Sequence, residues 1–281
     1  MKPSIVVPTN SSTAAKQARA YAAVLAAPLG AEVHLVHVYP SPPMTSRVAA
    51  IMEATKERYV RQERHALEQL AANYPVPATA DTLEGNWDEA VQQALDKYHP
   101  LLLVAGLTAT DGQFDEWLSN RTLPLARETG YPLLLVPENL PAAALHPPQR
   151  LVLAVEDRPF TLAPETTALA ALFDALAIDI IPVTVAPEAG WQGGQEGLWA
   201  AQQSGLAATM PDCQLHQVVG PEPAPALLRA VRDLSADMVA LVDIGHGWMH
   251  KLLIDSVIEQ MLRETTVPVL LLSAPTDFLA D

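Results

Sequence analysis

Short apolar runs alternate with longer amphipathic stretches along the whole chain. Apolar runs of strand length open the two halves at 5–8 and 151–155, and Pro-led apolar runs close them at 131–137 and 267–272. Between these runs, small and apolar residues recur at helical spacing, as in 12–28, which predicts helices with one core-facing stripe. Alternating helices and uninterrupted apolar strands favour an α/β fold whose parallel sheet has helices on both faces.

The two halves repeat the same order of elements at a spacing of about 140 residues, which fits one whole domain per copy and not a solenoid unit. We predict a first domain at 1–139, a stiff Pro-rich linker at 140–149 and a second domain at 150–281. The predicted strands lie near 4–8, 32–39, 78–83, 100–106 and 132–136, then near 150–155, 178–185, 213–219, 237–242 and 268–272. The predicted helices lie near 12–28, 46–73, 87–98 and 120–129, then near 163–176, 194–208, 223–234 and 256–265.

Composition removes several classes of function. The chain has 281 residues, a formal net charge of −15 and a single cysteine, Cys213. The negative charge disfavours nucleic-acid and anionic membrane partners, because both attract clustered Lys and Arg. One cysteine excludes an intrachain disulfide and a multi-cysteine zinc site. The N-terminus enters a strand without a signal-peptide pattern, and no apolar run approaches the roughly 20 residues of a membrane span, so we expect a cytoplasmic protein.

Two loops in each half are candidates for ligand binding. Ligands of open parallel sheets bind at the carboxyl ends of strands, near the point where strand order reverses, so the loops after the first and fourth strands matter most. After each fourth strand, a Gly-containing loop leads to a polar pair, Ser119-Asn120 or Asp255-Ser256, which we place at the start of the last helix. Such a loop can hold an anion, because free N–H groups and the helix dipole favour negative charge. The same polar pairs can instead cap their own helix.

The segment 7–12, with the helix after it, resembles the opening of universal stress protein domains. The segment 245–257, followed by Val267-Pro268-Val269, resembles the closing signature of that family. The resemblance covers nearly the whole chain and implies two tandem flavodoxin-like (Rossmann-like) domains, each with a five-stranded parallel sheet. By analogy with single-domain members, the last strands at 132–136 and 268–272 are expected to pair as a dimer within one chain, which hides two sheet edges. Pairing of whole chains into a homodimer stays open.

Members of this family that bind ATP carry Gly, two residues, Gly, nine residues, and then Gly with Ser or Thr. The corresponding positions are Gly106, Ala109, Ser119 and Asn120 in the first half and Val242, Gly245, Asp255 and Ser256 in the second. Neither half matches the whole motif. Val242 and Ala109 remove the conformational freedom of glycine, and Asp255 adds a carboxylate where a phosphate would lie. The second-half loop is the less acidic of the two and contains His246, whose charge can switch.

The family also uses an Asp after the first strand to contact the nucleoside. That position is Asn10 in the first half, and Glu156, followed by Asp157, in the second. We therefore rank the second half first as a site for ATP or AMP. The candidate binding residues are Val155, Glu156, Asp157, Gly245, His246, Gly247, Asp255 and Ser256, followed by Asn10, Gly106, Ser119 and Asn120.

No catalytic or metal site is predicted. His246 and His250 lack an evident third ligand, Ser256 lacks a nucleophile elbow, and Cys213 has no neighbouring base and is expected to be a structural thiol. We therefore hypothesise a non-catalytic stress-response or signalling protein that binds a small ligand or an unidentified protein. Two alternatives stay open: an ATP- or AMP-binding protein that uses the second domain, with slow hydrolysis, and a purely structural interaction module.

Overall fold

The computed structural model describes residues 2–39, 49–108, 129–243 and 251–274. In the first half the elements are β1 Ser4–Pro8, α1 Thr13–Leu29, β2 Glu32–Tyr39, α2 Ala49–Ala72, β3 Ala78–Glu84, α3 Trp87–Tyr98, β4 Leu102–Leu107 and β5 Leu133–Pro137. In the second half they are β6 Arg150–Ala154, α4 Pro164–Thr167, α5 Ala170–Leu176, β7 Asp179–Ala186, α6 Gln195–Gln203, β8 His216–Val219, α7 Pro223–Asp233, β9 Met238–Asp243, α8 Lys251–Glu264 and β10 Val269–Ser273.

The strands form one sheet in the order β3-β2-β1-β4-β5-β10-β9-β6-β7-β8. Neighbouring strands within each half are parallel, and β5 pairs antiparallel with β10, with Leu134 opposite Leu270. The predicted α/β class with a mostly parallel sheet is confirmed, and the two last strands pair with each other as the sequence analysis expects. The strand order reverses between β1 and β4 and again between β6 and β9, which positions a crevice at their carboxyl ends in each half.

Helices cover both faces of the sheet. One apolar cluster includes α1, α2, α5 and α6 and runs continuously through both halves. The other includes α3, α7 and α8 on the opposite face. All residues of β1, β5 and β10 are buried, as expected for strands that are covered on both faces.

Within the described ranges, four predicted elements differ clearly from the observed ones. The helix predicted at 163–176 is divided into α4 and α5. Between them the N–H groups of Leu169 and Leu172 donate to carbonyls three residues earlier, those of Thr166 and Leu169, which is 3-10 and not α-helical geometry. The helix predicted at 194–208 is shorter, and residues 210–212 form a 3-10 helix, so β8 begins at His216. The helix predicted at 256–265 begins five residues earlier, at Lys251. The helix predicted at 120–129 lies almost wholly outside the described residues.

The early start of α8 corrects one sequence-based role. Asp255 and Ser256 were expected at the start of the last helix, with capping of that helix as the alternative to anion binding, but they lie inside α8. Residues 252–254 are Leu, Leu and Ile, and such residues continue a helix readily. An N-terminal capping role for Asp255 or Ser256 is therefore wrong.

A polar network occupies the outer part of the first-half sheet. The His34 ring stacks on the Tyr98 ring with centroids 3.8 Å apart, and its Nδ1 lies 2.7 Å from the Thr79 hydroxyl. Asp81 accepts hydrogen bonds from Tyr98 (2.9 Å) and Lys97 (2.6 Å). Burial of Asp81 acts to raise the pKa of its carboxyl, but these two donors outweigh burial and hold that pKa below its ordinary value.

The first-half network predicts a weakening of the fold in mild acid. Burial is the main cause that lowers the pKa of His34 from 6.5, with Lys97 lowering it and Glu32 and Asp81 opposing. The stabilisation is therefore complete above the unfolded-state pKa and is lost as the pH falls through the lower folded-state pKa. In urea titrations between pH 7.5 and 5, we expect a smaller loss of unfolding free energy for His34→Phe than for the wild type. The exposed-histidine control His65→Gln should follow the wild type; an unchanged slope in His34→Phe would contradict the assignment.

Candidate functional site

A cavity of about 330 Å³ lies in the second half, at the carboxyl ends of β6, β7 and β9. It occupies the side of the strand-order reversal where open α/β sheets bind ligands, and its volume suits a small molecule. Its lining consists of Ala154, Val155, Glu156, Asp157, Phe160, Val183, Thr184, Val185, Trp191, Pro223, Leu227, Leu241, Val242, Val257 and Ile258.

The cavity has an apolar interior and an acidic mouth. Among the fifteen lining residues that the structure describes, twelve are apolar, and the other three are Glu156, Asp157 and Thr184. Thr184 is 2% exposed, whereas Glu156 and Asp157 are exposed. The described lining contains no Lys, Arg or His. The described walls therefore favour an apolar body and disfavour an anion.

Both mouth carboxylates have partners. Glu156 Oε2 lies 2.7 Å from Nε of Arg158, a half-exposed ion pair. Asp157 Oδ1 accepts a hydrogen bond from the N–H of Gly194 at 2.5 Å, and Gly194 immediately precedes α6. Asp157 thus links the loop after β6 to the N-terminus of α6, where a negative charge is stabilised.

The loop after β7 carries Trp191 to the mouth of the cavity. The loop is held at Gly193, whose carbonyl accepts a hydrogen bond from the Gln217 side chain at 3.1 Å. A Cβ on Gly193 would lie 2.1 Å from the Trp191 ring and 2.5 Å from Asp157 Oδ2. Only glycine fits between them, so the indole and the carboxylate are held close together. Sequence analysis missed Trp191, although the run Gly190-Trp191-Gln192-Gly193-Gly194 after a predicted strand was a usable signal.

At the corresponding position of the first half, the described residues contact one another. A Cβ on Gly106 would lie 2.3 Å from the backbone carbon of Ala14, because the first turn of α1 rests directly on the end of β4. Asn10 Oδ1 accepts from the N–H of Ser12 at 2.9 Å. Arg19 donates to the Asn10 carbonyl at 2.9 Å and to the Thr9 hydroxyl. Asn10 and Gly106 therefore have structural partners.

The register of the two half-sheets shows which positions of the two halves correspond. Leu102 pairs with Ile5 as Met238 pairs with Leu151, so Gly106 and Val242 occupy equivalent positions. In the second half the helix after the first strand begins later, at Pro164, and follows a longer connection than the one before α1. The Val242 side chain consequently lines a cavity instead of touching a helix backbone.

The fold agrees with comparisons to known proteins. The model of the universal stress protein family matches residues 1–137 and again residues 150–273. The chain belongs to the universal stress protein family. No curated protein sequence matches the chain.

Solved structures of universal stress proteins share the fold. A universal stress protein from Archaeoglobus fulgidus DSM 4304 is 14% identical, with 98% of this chain and 97% of that chain covered and a TM-score of 0.61. A functionally unknown protein from Pseudomonas aeruginosa PAO1 is 17% identical, with 96% and 92% covered and a TM-score of 0.50. A universal stress protein in complex with cAMP is 18% identical, covers 48% of this chain and 96% of its own, and has a TM-score of 0.37. At these identities the likeness concerns the fold alone.

The structure brings together some of the residues predicted for nucleotide binding in this universal stress protein. Val155, Glu156 and Asp157 meet at the cavity. Asp255 and Ser256 belong to α8, directly before the lining residues Val257 and Ile258. Asn10 and Gly106 lie in the other half, at the corresponding position. The remaining predicted residues, Gly245, His246, Gly247, Ser119 and Asn120, lie outside the described residues.

Neither a metal centre nor an activated thiol is evident in the described part of the chain. No group of three His, Cys, Asp or Glu side chains there could hold a metal ion. Burial raises the pKa of the Cys213 thiol, which disfavours the reactive thiolate. No helix within the described ranges is long and apolar enough to span a membrane.

Proposed function

We propose that this universal stress protein is a non-catalytic, cytosolic stress-response or signalling protein that binds a small ligand in the cavity of its second half. The observation that carries the proposal is the apolar cavity at the strand-order reversal between β6 and β9. At the equivalent position of the first half, Gly106 instead contacts the backbone of Ala14. The two halves therefore differ in role: the second half binds, and the first half supports it through the shared sheet.

The position of the cavity suggests how binding is communicated. Its walls include Pro223 and Leu227 of α7 and Val257 and Ile258 of α8, two helices that pack on the same face of the sheet. A ligand that contacts both helices stabilises one arrangement of them. A protein partner that binds the outer surfaces of these helices would then bind the occupied and the empty protein with different affinities. An unidentified protein partner is therefore part of the proposal, and homodimerisation is left open.

An adenine nucleotide is the second candidate ligand. The observation in its favour is that Glu156, at the position where the family resemblance places the nucleoside contact, lines the cavity together with Asp157. The family resemblance assigns Gly245, Gly247 and Ser256 to the phosphates, although Ser256 lies inside α8 and not at its N-terminus. Against a triphosphate stand the carboxylates of Glu156 and Asp157 at the mouth, since like charges repel. Slow hydrolysis would need a general base, which the described lining does not supply in an evident position.

The test is native mass spectrometry of freshly purified protein, followed by titration with AMP and with ATP in the presence of Mg²⁺. We expect one small molecule per chain. Val242→Trp should fill the cavity and lower the affinity by at least about tenfold, because the indole occupies the ligand volume. The matched control Val219→Trp places the same change on a residue that is 49% exposed and should bind like the wild type. Equal binding by both variants would contradict the proposed site.

A further inference from the structure

We propose that the second-half cavity is selective for a planar apolar ligand that carries a positive charge, of the aromatic amine class, over phosphorylated or carboxylated compounds. The inference rests on the proposed function, because it takes the cavity as the binding site and names its ligand class. Three features carry it: the apolar walls, the Trp191 ring, and the charge of the mouth.

The walls of the cavity determine that the main part of the ligand is apolar. Phe160 lies in the connection after β6, and three further apolar lining residues come from β7, α7 and α8: Val185, Leu227 and Ile258. Thr184 is the one uncharged polar residue among the described lining. A ligand rich in polar groups would lose hydration here without gaining partners. The walls therefore favour an apolar body of ring size over a sugar or a phosphate chain.

Trp191 supplies a flat surface at the entrance. Its ring packs against Gly193 and lies beside the Asp157 carboxylate, and the loop that carries it is anchored by Asp157 and by Gln217. Anchoring at both points lowers the entropy lost when a ligand stacks on the indole. An indole face also attracts cations, and it does so more strongly than other aromatic rings.

The charged residues described at the mouth of the cavity favour a positively charged ligand. Glu156 and Asp157 carry two negative charges, and Arg158 offsets one of them through its ion pair with Glu156. The net charge of −15 for the whole chain adds a field that repels anions. A ligand cation between the Asp157 carboxylate and the face of the Trp191 ring would be attracted by both groups.

The proposal can be tested with three probes that share an indole ring and a two-carbon arm: tryptamine, tryptophol and indole-3-acetate, which are cationic, neutral and anionic at pH 7. In isothermal titration calorimetry at low salt, we expect tryptamine to bind at least about tenfold tighter than indole-3-acetate, with tryptophol between them. The preference should shrink as salt is raised, because exposed charges are screened.

Variants assign the preference to the named groups. Asp157→Asn keeps an oxygen that can accept from Gly194, so the loop is retained and the advantage of tryptamine over tryptophol should fall about threefold or more. Trp191→Ala should weaken both probes by about tenfold, through lost stacking. Val219→Trp should bind all probes like the wild type.

Tighter or equal binding of indole-3-acetate would overturn the proposal, as would binding of AMP with no binding of tryptamine. In both cases the cavity would still bind a small molecule, so the proposed function would survive. If neither indoles nor nucleotides bind and the purified protein carries no adduct, the proposed function fails together with the inference.

Discussion

Replacing Gly106 by alanine is expected to lower the melting temperature by about 6–12 °C, which corresponds to a loss of about 3 kcal/mol in unfolding free energy. The added Cβ would lie 2.3 Å from the carbonyl carbon of Ala14 and 2.4 Å from its oxygen. These are backbone atoms, so no rotamer change can relieve the overlap. Helix α1 would have to lift from the sheet and would expose Ala18 and Ala22, both of which are fully buried.

The control for this variant is Gly190→Ala. Gly190 has φ +88°, and a Cβ added to it would meet nothing within 4 Å, so the substitution introduces backbone strain of about 1 kcal/mol but no overlap. Differential scanning calorimetry of the two variants separates packing from strain. Equal melting temperatures would show that the tight contact between α1 and β4 contributes little to the stability of the first half.

Replacing Leu270 by aspartate is expected to lower the unfolding free energy by about 4 kcal/mol or more. Leu270 is 1% exposed and faces Leu134, which is 0% exposed, across the antiparallel junction of the two halves. A carboxylate there has no partner and loses its hydration, which is among the most destabilising single changes in a protein. Because both half-sheets meet at this pair, both should lose stability.

Leu270→Met is the matched control, since it conserves volume and polarity and should cost less than about 1.5 kcal/mol. Urea unfolding followed by far-UV circular dichroism measures the difference. An aspartate variant as stable as the methionine variant would mean that the β5–β10 pairing contributes little, and that the two halves hold together by other contacts.

Much of the fold could be predicted from the sequence because strand patterns are local. The limits of β1 and β2 were predicted as observed, since apolar runs between turn-forming residues leave little choice of register. The class and the mostly parallel sheet followed from the alternation of elements. The predicted start of α8 was wrong by five residues, because the polar pair Asp255-Ser256 resembles the beginning of a helix in sequence. Helix limits depend on the fold as well as on the local sequence.

The site was harder to predict because it depends on how the two halves differ. Motif spacing led to Val155 and Glu156, which do line the cavity. It treated Gly106 as part of a cradle, whereas this glycine admits the backbone of Ala14. Trp191 lies in a loop, where side chains follow neither helical nor strand periodicity. Its position depends on Asp157, which is distant in sequence. Such contacts between loops leave no periodic signal in one sequence.

The most direct test of the central claim, that the second half binds and the first half does not, is a methyl NMR titration of the full chain with AMP and with tryptamine in turn. We predict shifts at Val155, Val185 and Leu227, which line the cavity, and unchanged signals from Val38 and Val91, at the equivalent strand and helix positions of the first half. Shifts at Val38 or Val91 of the same size, or no shift with either ligand, would contradict the account.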